Sequence, residues 1–321
     1  MRSTAGGCTA LVAIALGLIG AGCGSGGIAW TTWYSGACDA RFDMPGPPVS
    51  SYEVSPHTLG QQSVSIHRED AEASRFVYSC RTFPQGHLEL KGAGVVAEDV
   101  IRHELRAFDA GWKVGELRDV GTSSKGVTLT RADGVRADIR AVAVPGLSQT
   151  HATLTVGVGI GVARRFVEAI EIRPKPKSGS TRVRSAECHA SVVMPGVPEG
   201  SFANQVITHV HKDALTSRLY VLRCVFLDEM LRKRTPGEIF AQSVADTTAS
   251  GEWKAGAHTD FELDGRYARE QHYVSGDGAR ILAVRIAVDG ARLQLASFTG
   301  KLGDDQVAEA FLKSYRLHGR R

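Results

Sequence analysis

Two histidines on one segment form the simplest candidate for metal chemistry in this sequence. His209 and His211 are separated by a single valine, so a strand would place both imidazoles on the same face. Two imidazoles can begin a zinc site, although such a site normally has four ligands. The adjacent Lys212 and Asp213 are typical of a solvated hairpin end. The sequence therefore favours exposed strand histidines, with a metal-handling pair as the alternative.

The glycine-rich segment 157–161 is a candidate for phosphate binding, because glycine lets backbone N–H groups approach a phosphate. Its spacing matches neither the dinucleotide fingerprint nor a phosphate-binding P-loop, so a strand-to-helix connection is favoured. No Gly-x-Ser-x-Gly nucleophile elbow occurs in the sequence. These patterns predict no catalytic residue and no cofactor.

An internal repeat is the strongest pattern in the chain. Cys38 lies six residues before a Met-Pro-Gly-x-Pro turn, and Cys188 lies six residues before a second copy of that turn, 150 residues later. The segments that end at Cys80 and Cys224 match at an offset of 144 residues. Matches that keep their order in this way predict two copies of one domain.

The repeat divides the chain into a first copy at residues 37–172 and a second at 186–321, joined by a basic Pro/Ser linker at 173–185. Each copy has early strands, a helix, consecutive hairpins and a closing helix. Thr235, Pro236 and Glu238 predict a capping box at the start of the second copy's first helix. The predicted fold is α+β: two tandem copies of an antiparallel β-sheet flanked by helices.

This order resembles the PsbP-like and DcrB-like superfamily of small α+β domains. The resemblance rests on the aliphatic strand that enters Met-Pro-Gly-x-Pro, the mid-chain helix, the hairpins, and the closing Ala-x-x-Phe-Leu-Lys-Ser-Tyr-Arg-Leu at 308–317. It implies envelope lipoproteins or accessory and scaffolding domains, most of them without catalysis. It supplies no catalytic residues for this chain.

Four of the six cysteines occupy two pairs of equivalent repeat positions. Four cysteines allow three pairings, and the repeat favours one bridge within each copy, Cys38–Cys80 and Cys188–Cys224. A secreted chain would place them in an oxidising compartment. The alternatives are four buried thiols or a metal site, although no Cys-x-x-Cys spacing occurs.

The N-terminus has the features of a targeting signal. Arg2 is the only charge before Asp39, and residues 10–21 form an apolar run of 12 residues, which suits a signal peptide at 1–22. Small residues before Cys23 and a Gly/Ser tether at 23–36 resemble the lipobox of bacterial lipoproteins, in which the cysteine is acylated.

Gly20 departs from that lipobox, because leucine is usual three residues before the cysteine. The alternatives to lipidation are ordinary cleavage near Ala29 and an uncleaved span that reaches Trp33. Nine glycines between Gly6 and Gly36 disfavour a helix of that length.

Composition excludes several classes of protein. Apolar residues make up 43% and charged residues 22%, with a net charge of +4, which excludes wholesale disorder, collagen and a polytopic membrane protein. Five basic residues fall within 173–185, so the two copies are close to neutral and carry no nucleic-acid footprint.

The sequence predicts a non-enzymatic binding or scaffolding module of the bacterial cell envelope, lipid-anchored to a membrane and facing the periplasm or exterior. Its partner would be an envelope protein, a polymer or a small ligand, and paired weak sites would gain avidity. The rival hypothesis is an envelope hydrolase with a site in the interdomain cleft. A third is a metal-handling protein built around His209 and His211.

Overall fold

The computed structural model describes residues 30–53, 62–69, 74–174, 179–203 and 205–318. Elements of the first half are β1 (Trp30–Ser35), β2 (Ala40–Pro45), β3 (Val49–Glu53), β4 (Gln62–Glu69), β5 (Arg75–Thr82), α1 (His87–Lys91), α2 (Ala93–Glu104), β6 (Trp112–Val114), β7 (Arg118–Gly121), β8 (Ser124–Arg131), β9 (Arg136–Val144), β10 (Gln149–Val156), α3 (Ile160–Glu168) and β11 (Glu171–Ile172).

The second half repeats this order, except that one long strand, β17, stands in the place of β6 and β7. Its elements are β12 (Thr181–Ser185), β13 (Ala190–Met194), β14 (Glu199–Ala203), β15 (Val206–Asp213), β16 (Arg218–Phe226), α4 (Glu229–Arg232), α5 (Pro236–Thr248), β17 (Trp253–Leu263), β18 (Arg266–Ser275), β19 (Arg280–Asp289), β20 (Arg292–Lys301), α6 (Asp305–Lys313) and β21 (Arg316–Leu317).

Three large sheets account for most of the described residues. The first outer sheet has the order β3-β4-β5-β10-β9-β8-β6, with β7 also paired to β8, and the second outer sheet has the order β14-β15-β16-β20-β19-β18-β17. The shared sheet has the order β11-β2-β1-β12-β13-β21 and takes strands from both halves. Among the described helices, none has the length and apolar character needed to cross a membrane.

The prediction of an α+β fold with two tandem sheets, each flanked by helices, is wrong. The described residues are mostly β, and the two halves jointly build a third sheet in addition to the two outer sheets. Hydrophobic alternation identifies a strand but does not say which distant strand it pairs with. The pairing of β1 with β12 joins residues 151 positions apart, Tyr34 and Ser185, and no local pattern records it.

Because β1 pairs with β12, parts of the segments that were expected to form a tether and a linker are strands of the shared sheet. Trp30–Ser35 is a strand, and Trp33 and Tyr34 are buried, although this range lies within the expected tether. Thr181–Ser185, within the expected linker, forms β12. The Tyr34 carbonyl accepts a hydrogen bond from the Ala186 N–H at 3.0 Å, which ties the two hairpin turns together.

Each hairpin turn of the shared sheet carries a cysteine that is bonded to an outer sheet. Cys38, between β1 and β2, forms a disulfide with Cys80 of β5, and Cys188, between β12 and β13, forms one with Cys224 of β16. The Cα atoms are 5.7 Å and 5.4 Å apart, within the ordinary range for a disulfide. The two pairs are those that the offset of the repeat predicts.

Alternating side chains of the shared sheet build the core against both outer sheets. Phe42 and Met44 of β2 pack with Tyr78 of β5, while Val192 and Met194 of β13 lie in the same apolar cluster as Phe298 of β20. The outer face of the first outer sheet is covered by α2, whose Val96, Val100 and Ile101 are buried. The predicted capping box is present at α5, where the Thr235 and Glu238 side chains cap each other's backbone N–H groups.

We expect removal of the Cys38–Cys80 bridge, in a Cys38→Ala/Cys80→Ala variant, to lower the free energy of unfolding by about 2–4 kcal/mol, because the bridge closes a 42-residue loop in the unfolded chain. Urea unfolding of the variant and of the wild type under non-reducing conditions measures this difference. A loss below about 1 kcal/mol would contradict the assigned role of the bridge in holding the shared sheet to the first outer sheet.

Candidate functional site

A wide cleft lies at one end of the second outer sheet. Its volume is about 890 Å³, within the range of ligand-binding clefts. The β19–β20 turn, the start of β18, the segment around α4 and the β12–β13 turn surround it. The arginine cleft, as we call it, is lined by His189, Gln205, Phe226, Leu227, Asp228, Arg232, Arg266, Asp289, Gly290, Ala291 and Arg292.

The two carboxylates of the arginine cleft are occupied by groups of the protein itself. Asp289 pairs with Arg266, with 2.8 Å between Oδ1 and Nε. Asp228 accepts a hydrogen bond from the Leu231 N–H at 2.8 Å and thereby caps α4. The Arg232 side chain uses Nε to donate to the Leu227 carbonyl, and its terminal nitrogens can still donate to an anion.

His189 forms the buried side of the arginine cleft. It has a left-handed backbone conformation, with φ of 48°, and its carbonyl accepts a hydrogen bond from the His318 N–H at 2.7 Å. The Arg292 guanidinium donates to His189 Nδ1 at 3.4 Å and also lies 5.6 Å from the Phe226 ring centroid. These contacts fix the orientation of the planar Arg292 guanidinium, which suits recognition of a carboxylate.

The first half has a related but smaller pocket of about 250 Å³ at the corresponding turn. Asp39 stands in the place of His189, also with a positive φ, and its carbonyl accepts from the Arg173 N–H as His189 accepts from His318. The Asp39 carboxylate lies 3.7 Å from Arg173 Nε. Burial raises the pKa of Asp39, while a backbone hydrogen bond from Gly200 opposes that rise.

This smaller pocket lies between the halves, because β14 of the second half contributes Gly200, Ser201 and Phe202 to its lining. It gathers the Asp39 carboxylate and the Ser201 hydroxyl, the groups that a hydrolase would use. Its described lining contains no imidazole or thiol. The serine therefore has no general base of the usual kind beside it.

A second set of polar groups from both halves is buried at the β1–β12 junction. Glu187 accepts hydrogen bonds from the hydroxyls of Ser35 and Ser185, the latter at 3.3 Å, and from the Ala37 N–H at 3.4 Å. Ser35 and Ser185 also accept from the N–H groups of the two turn cysteines. Burial raises the pKa of Glu187, and the Ser35 hydrogen bond partly offsets this.

The expectation that His209 is an exposed strand histidine is wrong. His209 is 1% exposed, and its Nε2 lies 2.8 Å from the Ser185 hydroxyl, because β15 packs beneath the turn between β12 and β13. Burial lowers the pKa of His209 to about 4, so its imidazole is neutral at pH 7. His211 is half-buried, with Nδ1 3.4 Å from the Val197 carbonyl.

Among the described residues, no group of three or more His, Cys, Asp or Glu side chains is placed to hold a metal ion. His209 Nε2 contacts the Ser185 hydroxyl, which in turn donates a hydrogen bond to Glu187. Cys23 and the predicted signal peptide at 1–22 lie outside the described residues, as do residues 175–178 of the expected linker.

The residues of the arginine cleft give no signal in the sequence because they differ between the two halves. An internal repeat reveals only the positions at which both halves have the same residue. Here the second half has His189 where the first has Asp39 and, by strand register, Arg292 where the first has Gln149. The serine three residues before each turn cysteine does recur, as Ser35 and Ser185, and would have indicated the buried polar network.

Comparison with models of protein families gives no match, and neither does comparison with curated proteins. Among solved structures, cyanobacterial PsbP (CyanoP) from Synechocystis sp. PCC 6803 is 10% identical, with 44% of this chain and 94% of that chain covered and a TM-score of 0.34. A PsbP protein is thus among the similar structures.

Two further similar structures are a bacterial immunity protein and a protein complex. The immunity protein TplEi of the T6SS from Pseudomonas aeruginosa, complexed with "L" peptide, is 10% identical over 90% of this chain and 98% of that chain, with a TM-score of 0.31. The Tle4-Tli4 complex gives 12% identity over 90% and 97%, also with a TM-score of 0.31. Scores of this size carry no conclusion about activity or partner.

We expect the protein to lose stability between pH 7 and pH 5, in part because His209 is buried in its neutral form. Its pKa is about 4 when folded and 6.5 when exposed, so the unfolded chain takes up more protons as the pH falls below 6.5. The contribution of this residue to that loss is about 2 kcal/mol at pH 5. A His209→Gln variant, whose amide nitrogen can bond to Ser185, should lose about 2 kcal/mol less over the same interval.

Urea unfolding of both proteins at pH 7 and pH 5 measures this difference. Glu187 is present in both, so its opposing pH dependence cancels in the comparison. An equal loss in wild type and variant would show that His209 is protonated in the folded protein.

Proposed function

We propose that the protein is a non-enzymatic binding module of the bacterial cell envelope, held at a membrane surface by a lipid on Cys23, and that it binds an acidic segment of an envelope protein in the arginine cleft. The cleft carries this proposal. Arg232 and Arg292 line it, while Arg266 pairs with the Asp289 carboxylate and Asp228 caps α4.

The geometry of the cleft favours a protein segment over a compact anion. Its volume of about 890 Å³ accommodates several side chains, and its guanidinium groups come from three elements rather than converging from one loop. Phe226 and Leu227 give it an apolar floor. A segment with carboxylates and an apolar anchor would meet both kinds of surface.

Anchoring at a membrane rests on the sequence alone. The apolar run at 10–21 and the small residues before Cys23 support lipidation, and β1 begins at Trp30, seven residues after that cysteine. So short a tether would keep the shared sheet close to the membrane surface. Mass spectrometry of the membrane-extracted protein tests this part of the proposal, which a chain with an unacylated Cys23 would contradict.

The hydrolase hypothesis receives less support from the described residues. The histidine, serines and glutamate that come together from the two halves are buried beside the paired ends of β1 and β12, where a substrate cannot reach them. The pocket between the halves holds Asp39 and Ser201 without an imidazole in its described lining. Binding chemistry is therefore the better account of the exposed cleft.

We expect a labelled peptide with alternating Glu and Leu residues to bind the purified protein, and an Arg232→Gln/Arg292→Gln variant to bind it at least about tenfold more weakly, because two guanidinium groups are removed from the cleft. Fluorescence anisotropy at two salt concentrations measures the affinities. Binding should weaken as salt rises, since part of the attraction is between exposed charges.

The matched control is an Arg164→Gln/Arg223→Gln variant, which removes two exposed arginines outside the cleft and should retain wild-type affinity. The corresponding Gln/Leu peptide should bind weakly to all three proteins. Equal affinity of the two double variants for the acidic peptide would refute the assignment of the arginine cleft.

A further inference from the structure

A separate cavity lies in the first half, between the first outer sheet and α3. Its volume is about 200 Å³, roughly seven water volumes, so it suits a molecule of about seven non-hydrogen atoms. Most of its wall is apolar and comes from Val120, Ala141, Val142, Val167, Ile170 and Ile172. Its polar lining consists of Tyr78, Ser124, Arg140, His151 and Thr153.

Two buried polar atoms in this cavity have no hydrogen-bond partner among the described residues. They are His151 Nε2 and Thr153 Oγ1, on residues that are 3% and 7% exposed. The Tyr78 hydroxyl lies 2.8 Å from His151 Nδ1. Burial raises the pKa of Tyr78 well above its usual value, so the phenol keeps its proton. We assign the tautomer in which the phenol donates to Nδ1, the acceptor that the described residues offer it. The proton of the neutral imidazole is then on Nε2, which becomes a hydrogen-bond donor toward the cavity.

Arg140 supplies a positive charge to the same cavity. Its side chain is exposed, and none of the ion pairs among the described residues involves it. It lies beside Thr153 in the pairing of β9 with β10. A guanidinium, a hydroxyl and an imidazole N–H therefore line one small space, and all three can donate hydrogen bonds to an oxyanion.

In the second half, side chains of the protein itself surround the arginine that corresponds to Arg140. By strand register the counterpart of Arg140 is Arg285, which lies beside Ala296 of β20 and Glu270 of β18. Arg285 Nη2 is 2.5 Å from Glu270 Oε2, and Nη1 donates to the Leu312 carbonyl of α6 at 2.8 Å. The arginine of the second half thus receives its carboxylate from the protein itself.

In the first half no ion pair among the described residues involves that arginine, although Arg140 is close enough to Asp138, which is paired with Arg136, to help lower the pKa of that carboxylate. The residue beside Arg140 on β8 is Gly126, in the register position that Glu270 occupies on β18. By strand register, Thr153 is the counterpart of Ala296. The offset of 145 residues that aligns the two closing helices makes Ile170 the counterpart of Tyr315, which is buried. Loss of one carboxylate and one ring leaves the space in which the cavity lies.

We propose that this cavity binds a short aliphatic carboxylate, whose carboxyl group takes the position that Glu270 occupies in the second half. Arg140 pairs with the carboxylate, His151 Nε2–H and the Thr153 hydroxyl donate to it, and the alkyl chain contacts the valines and isoleucines of the wall. This site is distinct from the arginine cleft and does not depend on the function proposed for that cleft.

Isovalerate, with about seven non-hydrogen atoms to match the cavity, is the probe that tests this proposal. Titration into the purified full chain, followed by NMR of the histidine rings, should give saturable shifts of the His151 signals with a Kd below about 10 mM. The neutral amide of the same acid should bind at least about tenfold more weakly, because it cannot form the ion pair. Absence of saturable binding by the wild type would overturn the proposal.

Two variants test the site from opposite sides. Arg140→Gln removes the cation, and Gly126→Glu supplies the carboxylate that the second half has, so each should weaken isovalerate binding at least about tenfold. Arg223→Gln, an exposed strand arginine of the second half, and Gly126→Ala, which adds only a methyl group, should both keep wild-type affinity. A Cβ added at Gly126 would lie 3.6 Å from Arg140 Cγ, an ordinary contact, and 3.3 Å from Val120 Cγ1, so Val120 must shift by a few tenths of an ångström.

Thermal unfolding of each variant checks that it is folded before titration. If Arg140→Gln and Gly126→Glu are folded and bind isovalerate as the wild type does, the carboxylate is not held at this site and the proposal fails. If only Gly126→Glu fails to fold, Arg140→Gln alone decides the outcome.

Discussion

The pairing of β1 with β12 is the constraint on which the rest of this structure depends. It places two hairpin turns side by side, and the Glu187 carboxylate between them is surrounded by hydroxyl and N–H donors from both halves. A buried carboxylate is tolerated only when such donors are present. Because each turn is also bonded to an outer sheet through Cys38 or Cys188, the position of one sheet constrains the other two.

Within this common frame the two halves have diverged at corresponding positions. His189 and Asp39 occupy the same left-handed turn position, but one borders an open cleft with arginines and the other a small pocket covered by the second half. Arg285 and Arg140 occupy the same strand position, but of these two only Arg285 pairs with a carboxylate within the described residues. The two halves thus place different residues in their cavities on a similar order of strands and helices.

The sequence predicts the local elements better than their assembly. Alternation from Arg280 to Val288 predicts β19, and Thr235 with Glu238 predicts the start of α5, because both signals lie within a few residues. The shared sheet has no such signal, since the residues of one strand do not identify a partner strand 151 residues away. The exposure predicted for His209 is wrong for the same reason: alternation gives its face on the strand, but the turn that buries it belongs to another sheet.

Hydrogen exchange at the Ala186 amide tests the account of a shared sheet most directly. This N–H donates to the Tyr34 carbonyl across the boundary between the halves. If the halves form one folding unit, its protection should equal that of the central strands β5 and β16, because it opens only on global unfolding. Exchange more than about a hundredfold faster than in those strands would show that the halves separate while each remains folded, and would contradict the shared sheet.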